Sequence, residues 1–267
     1  MSFSIAGKTA IVTGAANGIG LAISREFAEQ GANVMMVDMD DKQLSKEAGD
    51  VPEGSKIEFF AGDLRERLTI ANLVSATIDA FDRVDILVNA SRQMMRTDPL
   101  DMDDDSISIM LNQNLLTSLH LSQAVAKRMI KQADAEEQEG LAGSIVNMSS
   151  ISACRTNPDL MGYSMATAAL DQMTRGLATA LAPHRIRVNA VAFGSVMSAS
   201  LQNILKENPD YRGDIEAHTP LGRIAPPTEL ADTVRYLASD ASAFMTGQII
   251  TVDGGRTLID PVSSPAH

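Results

Sequence analysis

Short apolar runs alternate with longer amphipathic stretches along almost the whole chain. Runs of strand length lie at Thr9 to Thr13, Asn33 to Asp38, Ile57 to Phe60, Asp85 to Asn89, Ser144 to Ser149, Arg187 to Phe193 and Ile249 to Val252. Stretches with helical spacing of apolar positions lie at Gly18 to Gln30, Arg65 to Phe81, about Asp105 to Lys131, Tyr163 to Leu181 and Thr228 to Ala238. This order predicts one α/β domain, residues 1–267, built on a Rossmann-type doubly wound parallel sheet of seven strands.

Two segments interrupt the pattern. The segment Gln132 to Gly143 is polar and acidic and ends in glycine, which predicts an exposed loop before the fifth strand. Residues 194–227 are rich in turn formers, namely Gly194, Pro209, Gly213, Pro220, Gly222, Pro226 and Pro227. That composition predicts an irregular, mobile substrate lid within the same domain.

The charge balance of the chain limits its partners. Its 34 Asp and Glu against 22 Lys and Arg give a formal net charge of -12, whereas binding to phosphate backbones depends on clustered basic residues. We therefore expect a small-molecule partner, no nucleic acid and no metal site. The chain has no leader-like start and no apolar stretch of membrane-spanning length, and its single Cys154 cannot form an internal disulfide. A soluble, cytoplasmic protein without a membrane partner is expected.

A glycine-rich turn follows the first strand and opens the first helix. It reads Gly14-Ala15-Ala16-Asn17-Gly18-Ile19-Gly20, and such a turn directs backbone N–H groups and the helix dipole at a pyrophosphate. A glycine pattern alone is weak, but here Asp38 also ends the next strand. A carboxylate there can accept both hydroxyls of an adenosine ribose and repels a 2′-phosphate, so NAD(H) is predicted over NADP(H). In the alternative interpretation, Asp38 only caps a turn.

These motifs resemble the short-chain dehydrogenase/reductase family, of the glucose dehydrogenase and acyl-carrier-protein ketoreductase kind. The resemblance covers nearly the whole chain and is carried by Thr13 to Gly20, Gly62-Asp63-Leu64, Asp85 to Asn89, Gly143 to Ser150, Tyr163, Arg187 to Val191 and Pro220 to Gly255. It implies the Rossmann-type fold and nicotinamide binding. It also implies that Asp63 and Leu64 contact the adenine and that Asn89 belongs to the cofactor site.

The resemblance places three of the four groups that react in this family. Asn114 matches the asparagine that helps to hold a proton-relay water, and Ser150 matches the serine that hydrogen-bonds the substrate oxygen. Tyr163 matches the general acid/base. Each has a plainer alternative, because an Asn can bond backbone, a Ser can cap a strand and a Tyr can pack with its hydroxyl outward.

The fourth group, a lysine, is replaced by Thr167. A phenol ordinarily has a pKa of about 10, so it needs a neighbouring cation to act as a base near neutrality. Thr167 can offer only one hydrogen bond, for example to the nicotinamide ribose. Loss of a positioned proton-transfer aid costs about 100- to 10,000-fold in rate.

Three further departures from the family fall in the same region. Arg92 stands where the family has a glycine after the fourth strand, Phe193 where it has proline, and Ser198 where it usually has threonine. Arg92 could turn toward Tyr163 and replace the missing charge, fill the nicotinamide pocket, or point to solvent. Arg155 could likewise meet an anionic substrate or a surface carboxylate.

The sequence therefore predicts an NAD(H)-dependent oxidoreductase, weak or narrow in substrate range, that interconverts a secondary alcohol and a ketone. The alternative is a non-catalytic family member, which would be a nucleotide-binding scaffold, a sensor or the silent subunit of a hetero-oligomer. The predicted helices Asp105 to Lys131 and Tyr163 to Leu181 carry small residues such as Ala166 and Ala168. In the family these helices form a dimer interface, which implies a homo-oligomer, either a dimer or a tetramer.

Overall fold

Seven strands lie at the predicted positions in a computed structural model, which describes residues 3–50, 56–137 and 139–260. They are β1 Thr9–Thr13, β2 Asn33–Asp38, β3 Ile57–Ala61, β4 Ile86–Asn89, β5 Gly143–Ser150, β6 Ile186–Phe193 and β7 Ile249–Val252. They pair in parallel in the order β3-β2-β1-β4-β5-β6-β7. The predicted Rossmann-type sheet of seven parallel strands is confirmed.

The strand order reverses at β1, which pairs with β2 on one side and with β4 on the other. In a doubly wound sheet, the connections on the two sides of such a point leave in opposite directions. A crevice therefore opens at the carboxyl ends of β1 and β4, where open α/β sheets bind ligands.

The helices cover both faces of the sheet. They are α1 Gly18–Glu29, α2 Asp41–Gly49, α3 Arg67–Phe81, α4 Ser106–Met110, α5 Thr117–Ala135, α6 Met161–Leu181, α7 Ala199–Glu207, α8 Asp210–Ala217 and α9 Pro227–Ala238. Phe27 of α1 and Leu230 of α9 belong to the apolar cluster on one face, and Leu73 of α3 and Leu121 of α5 belong to the cluster on the other. No helix in the described part of the chain has the length and apolarity needed to cross a membrane.

Helix α2 was not predicted, because most of its positions are polar. It buries only Leu44 and Glu47. A local signal specifies its start, since the Asp40 carboxylate accepts a hydrogen bond of 3.1 Å from the Gln43 N–H.

The exposed loop predicted from Gln132 to Gly143 is partly wrong. Helix α5 continues to Ala135, with Gln132 and Ala133 buried. The Gln132 side chain accepts from the Val84 N–H at 3.1 Å and donates to the Val84 carbonyl at 3.4 Å. A polar side chain that satisfies a strand-end backbone can be buried at little cost, and composition does not reveal such a pairing.

The irregular backbone predicted for residues 194–227 is also partly wrong, because α7 and α8 lie within this segment. Some of its Ser and Pro residues lie at helix starts. The Ser198 hydroxyl accepts a hydrogen bond of 3.3 Å from the Leu201 N–H, and Pro209 immediately precedes α8. Whether the segment moves as a lid remains a prediction.

Candidate active site

The turn between β1 and α1 is shaped by its glycines. Gly14 and Gly18 have φ of 67° and 56°, which side chains rarely adopt. A Cβ at Gly20 would collide with the Gly14 carbonyl oxygen. Any side chain at Gly20 would therefore force the first turn of α1 away from the end of β1. The glycines let the start of the helix lie against a phosphate.

The loop after β4 is fastened to this turn. The Thr13 hydroxyl accepts hydrogen bonds of 2.9 Å from the N–H groups of both Ala90 and Ser91. A Cβ on Gly14 would lie 2.9 Å from the Ser91 backbone, so the two loops pack backbone to backbone. This contact places Arg92, the next residue, beside the glycine turn.

A groove of about 540 Å³ runs along these loops, and we call it the nucleotide groove. Its lining includes nine of the predicted cofactor residues, Gly14, Asn17, Gly18, Ile19, Gly20, Asp38, Asp63, Leu64 and Arg92. It also includes Met39, Ser91, Gln93 and Gln113, which were not predicted. Met39 directly follows Asp38, and Ser91 lies between the predicted site residues Asn89 and Arg92, so their positions in the chain were the available signal.

Asp38 lines the groove at the end of β2. One of its carboxylate oxygens accepts a hydrogen bond of 3.1 Å from the Ala16 N–H in the glycine turn. The other accepts from the Met39 and Asp40 N–H groups at 2.7 and 3.2 Å. Asp38 therefore does cap the turn after β2, while its carboxylate still faces the groove. Its contact with a ribose remains a prediction.

Asp63 and Asn89 differ in their relation to the groove. Asp63 lines it and forms an ion pair of 2.6 Å with Arg65, and this hydrogen-bonded guanidinium lowers the pKa of the Asp63 carboxyl. The Asn89 side chain is buried and donates to Asn147 and Ser122 at 2.8 and 3.0 Å. The structure therefore does not bring the Asn89 side chain into the groove, and its contacts hold β4, β5 and α5 together.

A second cavity, of about 790 Å³, is lined by two of the predicted reacting groups, Ser150 and Tyr163, and we call it the Tyr163 cavity. Ser150 ends β5 and pairs in register with Phe193 at the end of β6. Tyr163 lies in the first turn of α6 and is 2% exposed. The Ser150 hydroxyl accepts a hydrogen bond of 3.1 Å from the Ser152 N–H, which leaves its own proton available to a ligand.

Arg92 lines both the groove and the cavity. Its Nη1 donates a hydrogen bond of 2.7 Å to the Tyr163 hydroxyl, and its guanidinium lies over the Phe193 ring, 4.4 Å from the centroid. The alternative in which Arg92 points to solvent is therefore wrong. The unusual arginine and the unusual phenylalanine form one stacked pair against the tyrosine.

Thr167 does not face the groove with a free hydroxyl. It is 2% exposed, and its hydroxyl donates to the carbonyl oxygens of Tyr163 at 2.9 Å and Ser164 at 3.1 Å in its own helix. In this arrangement the helix backbone takes the hydroxyl proton, and the hydrogen bond from Thr167 to a nicotinamide ribose remains a prediction. Thr167 supplies no charge to the site.

Asn114 lies in a π-helical turn, Leu111–Leu116, which interrupts the long helix predicted in this region. Its side-chain oxygen accepts from the Gln93 N–H and its amide donates to the Gln93 carbonyl, both at 2.8 Å. The plainer alternative, that this Asn bonds backbone, is thus what the geometry shows. By fixing Gln93, Asn114 holds the loop that carries Arg92. Its role in ordering water remains a prediction.

Several cavity residues were missed in the sequence, and Ser195 and Arg256 are two of them. Arg256 follows the Gly254-Gly255 turn after β7, and its Nη1 donates to the Ser195 hydroxyl at 2.8 Å. Their positions just beyond the carboxyl ends of β6 and β7 are the signal that could have identified them.

Comparisons with known proteins identify the family. A family model described as Enoyl-(Acyl carrier protein) reductase matches residues 14–257. The chain is 33% identical over 255 residues to the 3-oxoacyl-[acyl-carrier-protein] reductase FabG of Thermotoga maritima, covering 94% of this chain and 98% of that protein. The chain belongs to the short-chain dehydrogenase/reductase family of oxidoreductases.

Solved structures agree with this assignment. A short-chain type dehydrogenase/reductase from Mycobacterium marinum superposes with a TM-score of 0.86 at 30% identity, covering 96% of this chain and 98% of that one. A 7 alpha-hydroxysteroid dehydrogenase complexed with NADH and 7-oxo glycochenodeoxycholic acid superposes with a TM-score of 0.87 at 30% identity, covering 95% of each chain.

Proposed function

We propose that this protein is an NAD(H)-dependent oxidoreductase that interconverts a secondary alcohol and a ketone, with Arg92 serving as the cation beside Tyr163. The hydrogen bond of 2.7 Å from Arg92 to the Tyr163 hydroxyl carries the proposal. The relatives add support, because one is named as a reductase of a 3-oxoacyl group and another was solved with NADH.

The nucleotide groove fits a dinucleotide. A phosphate needs backbone N–H groups at a helix start, and the glycine turn at Gly14, Gly18 and Gly20 supplies that close approach. Asp38 favours an adenosine ribose without a 2′-phosphate, because its carboxylate repels that group. A bound nicotinamide dinucleotide would supply the two-electron carrier that takes hydride from an alcohol carbon or returns it to a carbonyl carbon.

The protein's own residues handle the proton and the substrate oxygen. When an alcohol is oxidised, its C–H bond breaks and both electrons leave with the hydride, while the hydroxyl proton passes to the Tyr163 oxygen. The substrate loses one hydride and one proton and becomes a ketone. The Ser150 hydroxyl, whose oxygen is held by the Ser152 N–H, keeps its proton and donates a hydrogen bond to the substrate oxygen, which polarises it.

Arg92 supplies a positive charge in place of the family's lysine, but it cannot relay a proton as the lysine amine can. A guanidinium within hydrogen-bond distance of the Tyr163 oxygen stabilises negative charge that develops there during proton transfer, since burial reduces screening of the two charges. A guanidinium stays protonated, however, so it cannot pass on the proton that Tyr163 receives. That proton must leave through water or a hydroxyl, and the expected activity is weaker than with an amine.

One observation favours a second function. The stacked Arg92 and Phe193 side chains lie where the nucleotide groove meets the Tyr163 cavity. If they exclude the nicotinamide ring, the protein would be a non-catalytic nucleotide-binding member, which is a scaffold, a sensor or the silent subunit of a hetero-oligomer.

Turnover and cofactor binding distinguish these functions. The purified protein and Arg92→Gly are tested with NADH against a panel of ketones and oxo acids, and NADH and NADPH binding is measured by fluorescence titration. We expect turnover by the natural sequence, its loss in Arg92→Gly, and tighter binding of NADH than of NADPH. Tight NADH binding without any turnover supports the scaffold, whereas improved activity in Arg92→Gly shows that the arginine obstructs the site.

A further inference from the structure

The Tyr163 cavity is lined by positive charge. Arg92, Arg155 and Arg256 line it, and no Asp or Glu does so within residues 3–50, 56–137 and 139–260. The chain as a whole carries 34 acidic against 22 basic residues. The charge of the cavity wall is therefore positive, whereas the net charge of the chain is negative. A positively charged cavity favours an anionic ligand.

Two of these arginines are held by neutral groups. Arg256 donates to the Ser195 hydroxyl at 2.8 Å, and Arg155 Nη2 donates to the Thr257 carbonyl oxygen. Among the described residues, neither arginine forms an ion pair with a carboxylate. Each guanidinium has five N–H donors, so both keep charge and donors for a ligand. Because Arg155 bonds the residue after Arg256, the two guanidinium groups belong to neighbouring parts of one wall.

The carboxylate in the loop after β7 does not neutralise this wall. Asp253 accepts hydrogen bonds from the Gly255 N–H at 2.9 Å and the Thr257 N–H at 2.7 Å. It therefore folds the loop tightly around its own backbone and fixes the position of Arg256. Among the described residues, Arg256 is thus held in position by its loop and forms no ion pair with a carboxylate.

The cavity wall also carries a set of apolar side chains alongside its polar ones. It includes Met94, Ile151, Leu160, Leu201, Ile204 and Ile259. A ligand that matches this wall has a reactive carbon at one end, an apolar body and an anionic group.

We infer that the substrate is a hydroxy- or oxo-carboxylate, an inference that rests on the proposed function. The secondary alcohol or ketone carbon lies at Ser150 and Tyr163. The carboxylate, which does not react, is bound by Arg155 and Arg256, because guanidinium groups recognise carboxylates by paired hydrogen bonds. Arg92 remains with Tyr163.

A matched series of acids and esters tests this inference. Unbranched oxo-carboxylates of increasing length, and the methyl ester of each, are reduced with NADH by the purified protein. We expect kcat/KM for the best acid to exceed that for its ester by about 10- to 100-fold. Arg155→Gln and Arg256→Gln should each raise KM for the acid by about tenfold or more, should change kcat/KM for the ester far less than for the acid, and should leave the affinity for NADH unchanged.

Two further variants control for loss of folding and for charge in general. Arg155→Lys keeps the charge and should retain part of the preference for the acid. Arg96→Gln removes an exposed arginine that does not line the cavity, and it should behave like the natural sequence. Circular dichroism of each variant separates a lost contact from a lost fold.

Calorimetric binding of the same acids and esters in the presence of saturating NAD(H) separates this inference from the proposed function. If nothing turns over but the acid binds and Arg155→Gln abolishes its binding, the anion site stands and the oxidoreductase proposal fails. If acid and ester bind or react equally, or if neither arginine variant changes the preference, the anionic substrate is refuted even if turnover is fast.

Discussion

Arg92 and Tyr163 lie 71 residues apart in the chain, and a hydrogen bond of 2.7 Å joins them at the junction of the two cavities. The same guanidinium is stacked on Phe193 at 4.4 Å. Arg92 and Phe193, which both depart from the family pattern, thus lie together beside Tyr163, whose usual lysine neighbour is replaced by Thr167. Thr167, which replaces that lysine, is bonded to its own helix.

Removal of the Arg92 charge should disable proton transfer. We expect Arg92→Gln to lower kcat by about 100-fold or more with NADH affinity little changed, because the cation beside the Tyr163 oxygen is gone. Arg92→Lys, which keeps a charge, should retain more activity. Arg96→Gln is the matched control. A normal kcat in Arg92→Gln would contradict the proposed role.

A lysine at position 167 should help only where Arg92 is absent. In the Arg92→Gly background, Thr167→Lys is expected to restore turnover by about tenfold or more, because it returns a cation to the tyrosine. In the natural background it should give little gain, since a second cation near the first is unfavourable.

Thr167→Met, of similar length and without charge, controls for the change in packing, and thermal unfolding of each variant is recorded. A gain of orders of magnitude from Thr167→Lys in the natural background would show that Arg92 does not compensate.

Asp38 should determine the preference between the two coenzymes. We expect Asp38→Asn to narrow the preference for NADH over NADPH by roughly tenfold, because the charge that repels a 2′-phosphate is removed. Fluorescence titration of both coenzymes measures the change. Asp41→Asn, an exposed carboxylate in the first turn of α2, is the control. Tighter binding of NADPH than of NADH by the natural sequence would refute the assignment.

Asp253 should make the loop that carries Arg256 sensitive to acid. Burial raises the pKa of this carboxyl, but hydrogen bonds from the Thr257 and Gly255 N–H groups outweigh burial, and the net pKa is lowered. A lowered pKa in the folded state contributes stability above the unfolded pKa of about 3.9, and that stability is lost as pH falls through the folded value.

The free energy of unfolding should therefore fall less between about pH 6 and about pH 3 in Asp253→Asn than in the natural sequence, as measured by urea unfolding. Asp79→Asn, an exposed carboxylate on α3, should leave the pH dependence unchanged. Equal slopes in Asp253→Asn and the natural sequence would refute the role of this carboxyl.

The exposed face of α6 should be an interface between copies of the chain. Ala166 and Leu170 are buried within the protomer, but Ala168 is exposed and Met165 is 46% exposed. Ala168→Glu should lower the oligomeric state measured by analytical ultracentrifugation, because a charge in an apolar interface is costly. Ala71→Glu on the exposed face of α3 is the matched control. A monomeric natural protein, or an unchanged oligomer in Ala168→Glu, would exclude this face.

Local patterns were enough to predict the sheet and the nucleotide groove. Each strand boundary lies within one residue of its prediction, because buried parallel strands are continuous apolar runs. The residues of the glycine turn are neighbours in the chain and follow β1, and Asp38 ends the next strand, β2. Their positions therefore follow from the order of the elements alone. Helix α2 was missed because most of its positions are polar and its start is marked by the Asp40 cap. Helices α7 and α8 were missed because the glycines and prolines of the 194–227 segment were interpreted as irregular backbone.

The sequence by itself determined the fold class, the glycine turn at Gly14 to Gly20 and the absence of a lysine at position 167. Only the tertiary structure decided which way Arg92 points and that Asn89 faces the interior. It also decided that Arg155 and Arg256 share one cavity. The physical reason is that a side chain's direction depends on partners far along the chain, such as Tyr163 for Arg92, and the packing of whole strands and helices brings those partners together.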